Sequence, residues 1–319
     1  MACSTRACAC LKAGADMTTS TATSTKPAAE ETPLRRFVRQ FCASRIALVG
    51  VIVLGIIIVV AIAAPWIAPQ NPYDLAKLDV LDSRLAPGEK ASDGMTFLLG
   101  SDDQGRDLLS AIFYGLRISL LVGVVSCAFA VLIGTIVGLV SGYAGRRVDA
   151  FLMRIVDIQL SFPSILVALV LLAILGKGVD KTILALVLVQ WAYFARTIRS
   201  AALVEQGKDY VQAARCLGFS RGRILFVHLL PNCLPSVLVL APVQVASAIA
   251  LEATLSFLGL GMPVTEPSLG LLIANGFNFM MSGSYWISTF PGIALLVTIV
   301  GMNLVADRLR DLLDPRHSR

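Results

Sequence analysis

Charge is what this chain is shortest of: 15% of its 319 residues are Asp, Glu, Lys or Arg, against about 25% in ordinary soluble domains. Hydrophobic residues make up 56%, and the mean hydropathy is +0.76, more apolar surface than a soluble core of this size can hide. Soluble enzymes and nucleic-acid binders are thereby excluded. Histidine is nearly missing, with only His228 and His317, so the convergent His, Asp and Glu side chains of a membrane-embedded enzyme or metal site are not there. No nucleophile and base pair is visible, and the sequence offers no catalytic, cofactor-binding or metal-binding residue. A phosphate-cradling GxxxxGK[ST] loop is also absent, because Gly176-Lys177 and Gly207-Lys208 both lack the earlier Gly and the following Ser or Thr. Any nucleotide that drives this protein must bind elsewhere. The seven cysteines, Cys3, Cys8, Cys10, Cys42, Cys127, Cys216 and Cys233, form no disulfide framework. No apolar run long enough for a secretory signal occurs before residue 46.

What is present is a series of charge-free runs of membrane-crossing length, the mark of an all-α polytopic membrane protein. Residues 1–33, with seven Ser or Thr between Met17 and Thr25, read as a disordered cytoplasmic tail. Residues 34–68 hold a basic flank and a first span, Ile46–Ala64, and residues 69–116 an extracytoplasmic loop. Residues 117–307 form the main transmembrane domain, with a cytoplasmic loop at 196–233, and 308–319 a second cytoplasmic tail. Within that domain Ile118–Val140, Ile158–Gly176, the shorter Thr182–Ala195, a run from Leu234 past Glu252, and Tyr285–Ala306 give six spans in all. Leu269–Met281 is expected to be a surface or re-entrant piece.

The basic residues orient the chain. Segments 1–45, 141–157, 196–233 and 307–319 carry twenty of the 27 Lys and Arg, and cytoplasmic loops collect such residues. Both termini are therefore expected in the cytoplasm. Within the spans, Gly134, Gly138 and Gly142 would form a bare strip on one helix face for close helix packing. Glu252, a carboxylate at the end of a long apolar run, reads either as a pathway residue or as one hydrogen-bonded by neighbouring helix ends near the outer interface. In the outer loop, Asp102, Asp103 and Arg106 read either as contacts for an external protein or as turn and capping chemistry before a helix near Asp107.

The loop at 196–233 is too structured for a connector. In EQGKDYVQAARCLGFSRGRILFVHLLPN, Val211, Ala214 and Leu217, then Ile224, Val227 and Leu230, recur at helical spacing with Gly218 between the sets, which describes helix, break, helix. Pro231 is expected to end or kink the second helix. Arg215, Arg221 and Arg223 read as positive-inside anchors, and His228 as a packing residue.

This pattern resembles the membrane subunits of type I ABC importers, whose loop before the penultimate span bears EAA, three residues, Gly and a later Leu-Pro. The match is Gln212, Ala213, Ala214, Gly218, Leu230 and Pro231, with Gln212 in place of the usual Glu. The stretches LLGSDDQGRDLLSAIFYGLRISL, SFPS and LEATLSFLGLG are similar to the dipeptide, oligopeptide and nickel branch of that family, and to the second of its two permease subunits. The resemblance implies a type I importer permease fold in a bacterial cytoplasmic membrane. Its implied partners are a homologous permease, two ATPase subunits that grip the short helix, and an external substrate-binding protein; for Arg215, Arg221 and Arg223 contact with such an ATPase is the second reading beside that of positive-inside anchors. The implied cargo is di- or oligopeptides, with nickel complexes, glutathione or glycosides as alternatives. An ion-coupled secondary transporter would instead show charges in several spans and an inverted repeat. Only Glu252 has that character.

Overall fold

The computed structural model describes residue 39, residue 41 and residues 44–73, 79–92 and 94–313. The expected tail at 1–33, with Cys3, Cys8 and Cys10, lies outside them, as do residues 314–319. The described residues are helical apart from turns and two isolated bridges, Lys90 with Thr96 and Ser101 with Asp107. We number the helices α1 (Arg45–Ile67), α2 (Leu108–Tyr143), α3 (Arg146–Ser161), α4 (Ser164–Leu175), α5 (Val179–Gln206), α6 (Asp209–Cys216), α7 (Arg221–Phe257), α8 (Leu269–Phe277) and α9 (Trp286–Leu313).

Each boundary has a local cause. Ser44 caps α1 by accepting from the Ala47 N–H, and Asp107 caps α2 by accepting from the N–H and hydroxyl of Ser110 at 2.8 and 2.5 Å, filling donors that the first turn leaves empty. Because α2 starts at Leu108, ten residues before the apolar run at Ile118, its 36 residues extend for about 54 Å, well beyond a hydrocarbon core of about 30 Å. The surplus turns stand in the polar segment ahead of them.

The glycine strip fixes the architecture. A Cβ on Gly134 would meet Phe194 and the Trp191 carbonyl, both at 2.5 Å; one on Gly138 would meet the Ala195 carbonyl at 2.6 Å; one on Gly142 would meet the Ala202 Cβ at 2.8 Å. Contact positions rise together on both helices, so α2 and α5 run parallel, backbone against backbone. Two parallel crossings need a return between them, and that return is α3 with α4. On α7 the order reverses: Ser119 reaches Glu252 and Gly123 faces Ile249. In α9 it reverses against α1, where Gly50 meets Leu304 and Gly301 lies beside Val53. Arg45, Tyr143, Gln206 and Leu313 thus share one end of the bundle, the near end; Ile67, Leu108, Val179 and Phe257 share the far end.

By length and composition, α1, α2, α7 and α9 can each cross a membrane, and α3 with α4 make a fifth candidate bent by 89°. The sequence expectation of one straight span at Ile158–Gly176 is corrected here. Pro163 cannot continue the helix, Phe162 is extended, and the expected span is split between the last turn of α3 and the 12 residues of α4, about 18 Å. What lies before the bend is amphipathic: α3 is held along α5 by Asp149 with Arg199 and Asp157 with Arg196, each at 2.5 Å. α5 has 28 residues around the fourteen-residue run Thr182–Ala195 and packs parallel to α2, but it is not among the helices apolar enough to cross by composition, so the described residues give four spans, or five with the bent pair, against the six expected. The re-entrant expectation for Leu269–Met281 corresponds to the nine-residue α8, folded against α7 and α9, where Gly270 lies on the Ala253 backbone and Gly276 on Ser288.

Candidate functional site

Two sites occupy opposite ends of the bundle. At the near end α6 projects between α5 and α7. Asp209 sits in its first turn and Arg215 in its last, charges placed to suit the helix dipole. Gly218, at φ +75°, makes the left-handed turn that ends it, a conformation that costs glycine little. Val211 and Ala214 are buried in the core with Ile224 and Leu229, while Gln212, Ala213, Arg215 and Cys216 face outward and Leu217 is 73% exposed. The two alanines of the motif therefore part company: Ala213 is on the free face, and Ala214, at 4% exposure, packs inward and is not available to a partner.

The helix is clamped to the ends of α2 and α5. Gln206 donates to the Gly142 carbonyl and accepts from Arg215 at 3.1 Å, and the Arg215 guanidinium lies 5.1 Å from the centre of the Tyr143 ring, a cation–π contact. Tyr210 donates to Glu205 at 2.6 Å, which also holds Lys208. Burial first, and then the Glu205 carboxylate, push the Tyr210 hydroxyl up to about 12. Arg215, read from sequence as a membrane anchor or partner contact, is thus committed to this clamp.

Beyond Gly218, Ser220 caps a new helix through the Arg223 N–H. The expectation that Pro231 ends this helix is corrected: α7 continues through Pro231, and Ile224–Leu229 ahead of it is wound as a π segment, with the Leu230 N–H donating to the Leu225 carbonyl. Proline cannot donate to the carbonyl four residues back, and a widened turn relieves the conflict. The wider turn also shifts the inward positions. Ile224 and Leu229 are fully buried, whereas Val227 is 58% exposed, so the expected Ile224, Val227, Leu230 face is not the one packed. Leu230 is partly buried and Pro231 exposed. His228 stacks on Phe219 at 5.7 Å and Arg223 covers the same ring, a packing role.

At the far end, Asp102 and Arg106 are almost fully buried, joined at 2.6 Å, and Asp102 also accepts from the N–H groups of Gln104 and Arg106 at 2.9 Å. Asp102 is spent on the turn that leads to the Asp107 cap, the architectural alternative, while Arg106 also donates to the Val264 carbonyl at 3.5 Å and keeps its Nη2 buried without a partner. Asp103 alone is partly exposed, with one carboxylate oxygen buried and unpartnered. Burial, followed by the like charge of Asp102, raises its carboxyl above the ordinary value, against the pull of Arg106 and Arg84. The same loop is sewn to the end of α1, since Asp107 N–H donates to Gln70 at 2.7 Å and Gln70 N–H donates to Ser110. Glu252 is fully buried and accepts from Ser119 at 2.9 Å and Ser256 at 2.8 Å. Of its two sequence readings, the hydrogen-bonded one describes this geometry. Ser119 with Glu252, like Asp149 with Arg199, is a pairing far apart in sequence that carries no local signal.

Comparison with known proteins agrees with this architecture. Residues 130–319 match the family model described as the binding-protein-dependent transport system inner membrane component, and residues 32–87 match the N-terminal TM domain of oligopeptide transport permease C. The dipeptide transport system permease protein DppC of Escherichia coli (strain K12) is 42% identical over 286 residues, 89% of this chain and 94% of its own. The di/tripeptide transport system permease protein DppC of Pseudomonas aeruginosa (strain UCBPP-PA14) is 36% identical over 285 residues, 89% and 92% of the two chains. Among solved structures, an inward-facing MetNI methionine ABC transporter aligns at a TM-score of 0.53 and 21% identity, covering 64% of this chain and 97% of that one, a likeness of fold. With apolar helices packed around a parallel α2–α5 pair and this sequence kinship across most of its length, the chain belongs to the family of binding-protein-dependent transport system inner membrane components.

Proposed function

We propose that this chain is one of two permease subunits of an ATP-driven importer of di- or oligopeptides, with its near end in the cytoplasm and its far end facing an external binding protein. The observation that carries the reading is α6: a short helix with Gln212, Ala213 and Leu217 on its free face, clamped through Gln206 and Arg215 to the parallel α2–α5 pair. A partner that grips this helix can move the bundle because the clamp transmits the load, and no nucleotide loop in the chain supplies power of its own. Basic residues gather at the near end, as cytoplasmic segments do, and curated relatives of the chain are named as permeases of dipeptide or di/tripeptide transport systems. In alternating access, closure of two ATPase subunits would pull α6 and tilt α2 and α5 together, switching the side on which a central cavity opens.

The test is Ala213→Asp in the assembled transporter. Ala213 has no internal role, so the subunit should reach the membrane at normal levels, while a charge placed in the docking contact lowers dipeptide uptake at least tenfold. Substrate-stimulated ATP turnover unchanged from the parent would sink the docking assignment.

A further inference from the structure

At the far end a cavity of about 280 Å³ is lined by Tyr73, Arg117, Ile118, Leu121, Val179 and Glu266. Four separate pieces of chain build it: the segment after α1, the outer third of α2, the first residue of α5, and the loop between α7 and α8. Its two charges are of opposite sign and not paired. No ion pair joins Arg117 and Glu266 within 4.0 Å among the described residues, the exposed Arg117 has no hydrogen-bond partner there, and the Glu266 Oε2 is buried with none. A buried carboxylate oxygen without a donor is costly unless something supplies one. Both charges face one ring: burial, then Glu266, raises the Tyr73 hydroxyl, and Arg117 opposes them. Tyr73 is itself held edge-on against Tyr114 at 5.3 Å.

We propose that this cavity binds a zwitterionic dipeptide, its ammonium on Glu266 and its carboxylate on Arg117. A simple anion would meet Arg117 but be repelled by Glu266, and a simple cation the reverse. A molecule carrying both charges a few ångströms apart satisfies each, and two extended residues reach about 7 Å. The volume lies at the lower edge of small-molecule pockets, about 300 Å³ and up, which suits two residues rather than a long peptide. Ile118, Leu121 and Val179 form an apolar wall without hydrogen-bond demands, so side-chain identity would matter less than the free termini. The inference rests on the peptide reading above and deepens it, adding a docking point where cargo enters the membrane domain.

The test uses the complete permease–ATPase complex in lipid nanodiscs without binding protein, with ligand-detected saturation-transfer NMR on dialanine, N-acetyl-dialanine and dialanine amide. The parent should bind dialanine at least tenfold more tightly than either blocked form. Glu266→Gln should then bind dialanine and N-acetyl-dialanine alike, and Arg117→Gln should bind dialanine and dialanine amide alike. Dialanine binding unchanged in both variants, or weakened equally for all three ligands, overturns the site. If a variant does not assemble, Glu266→Asp and Arg117→Lys carry the same test, and each should weaken dialanine while keeping the preference for free termini. Uptake of dialanine by the parent complex with its binding protein is measured separately: failure there removes the peptide reading, whereas normal uptake with unaltered variants removes only this site.

Discussion

Asp103 sits one residue beyond a buried ion pair, and its carboxyl is held above 3.8, its ordinary value, by burial and by Asp102. A carboxyl whose pKa rises on folding binds its proton more tightly in the native state. That state therefore loses stability as pH climbs through the window that opens at 3.8 and extends upward. Asp103→Asn removes the ionisation, so the detergent-solubilised subunit should melt slightly higher than the parent at pH 7, with the difference shrinking toward pH 4; thermal unfolding at the two values checks it. Arg106→Met should do the opposite and strongly, costing about 3–5 kcal/mol, because it leaves the Asp102 carboxylate buried with no counter-charge. Gly138 is equally sensitive for a steric reason. A Leu there would drive its Cβ into the Ala195 carbonyl and the Ile198 side chain, and overpacking costs about 1–3 kcal/mol or more. Gly55→Leu, where nothing lies within 4 Å, should be near neutral in the same stability assay.

Helices α6 and α7 show where sequence periodicity holds and where it slips. Val211 and Ala214 pack inward as their spacing implies, and the Gly218 break is where the pattern places it. Leu217 fails because it lies past the end of α6, beside the left-handed glycine. Val227 fails because the π segment before Pro231 adds to the turn and rotates the following side chains. No window of apolar residues at 3.6 spacing can register that, since the cause is a missing N–H. The clamp was equally illegible, because Gln206, Gly142, Tyr143 and Arg215 meet only after α2 and α5 have packed. Gln206→Leu should therefore leave the subunit folded and in the membrane while lowering uptake severalfold, measured as transport per assembled complex. Unchanged transport would show that α6 carries its load through another contact.

For the molecule as a whole, Glu252 ties α7 to α2 through Ser119 and is also held by Ser256 on its own helix. Glu252→Leu, which strands two buried hydroxyls, should destabilise the complex by about 1–3 kcal/mol per hydroxyl, and Glu252→Gln much less, because an amide can still bond both; melting of the two variants checks the structural role, and unimpaired peptide uptake by Glu252→Gln would show that its charge is not needed in transport. The sequence by itself determined that this chain lives in a membrane, roughly where it crosses, which segments are basic, and that a helix–break–helix motif precedes the penultimate pass. All of these follow from composition and short-range spacing, to which burial in lipid and helix geometry respond directly. Only the tertiary structure decided that α2 and α5 run parallel, that α6 is clamped to their ends through Gln206 and Arg215, and that Arg117 and Glu266 face one cavity. Those depend on which residues 50 or 150 positions apart come to share a face, and close backbone packing through glycine, not any local preference, chooses them.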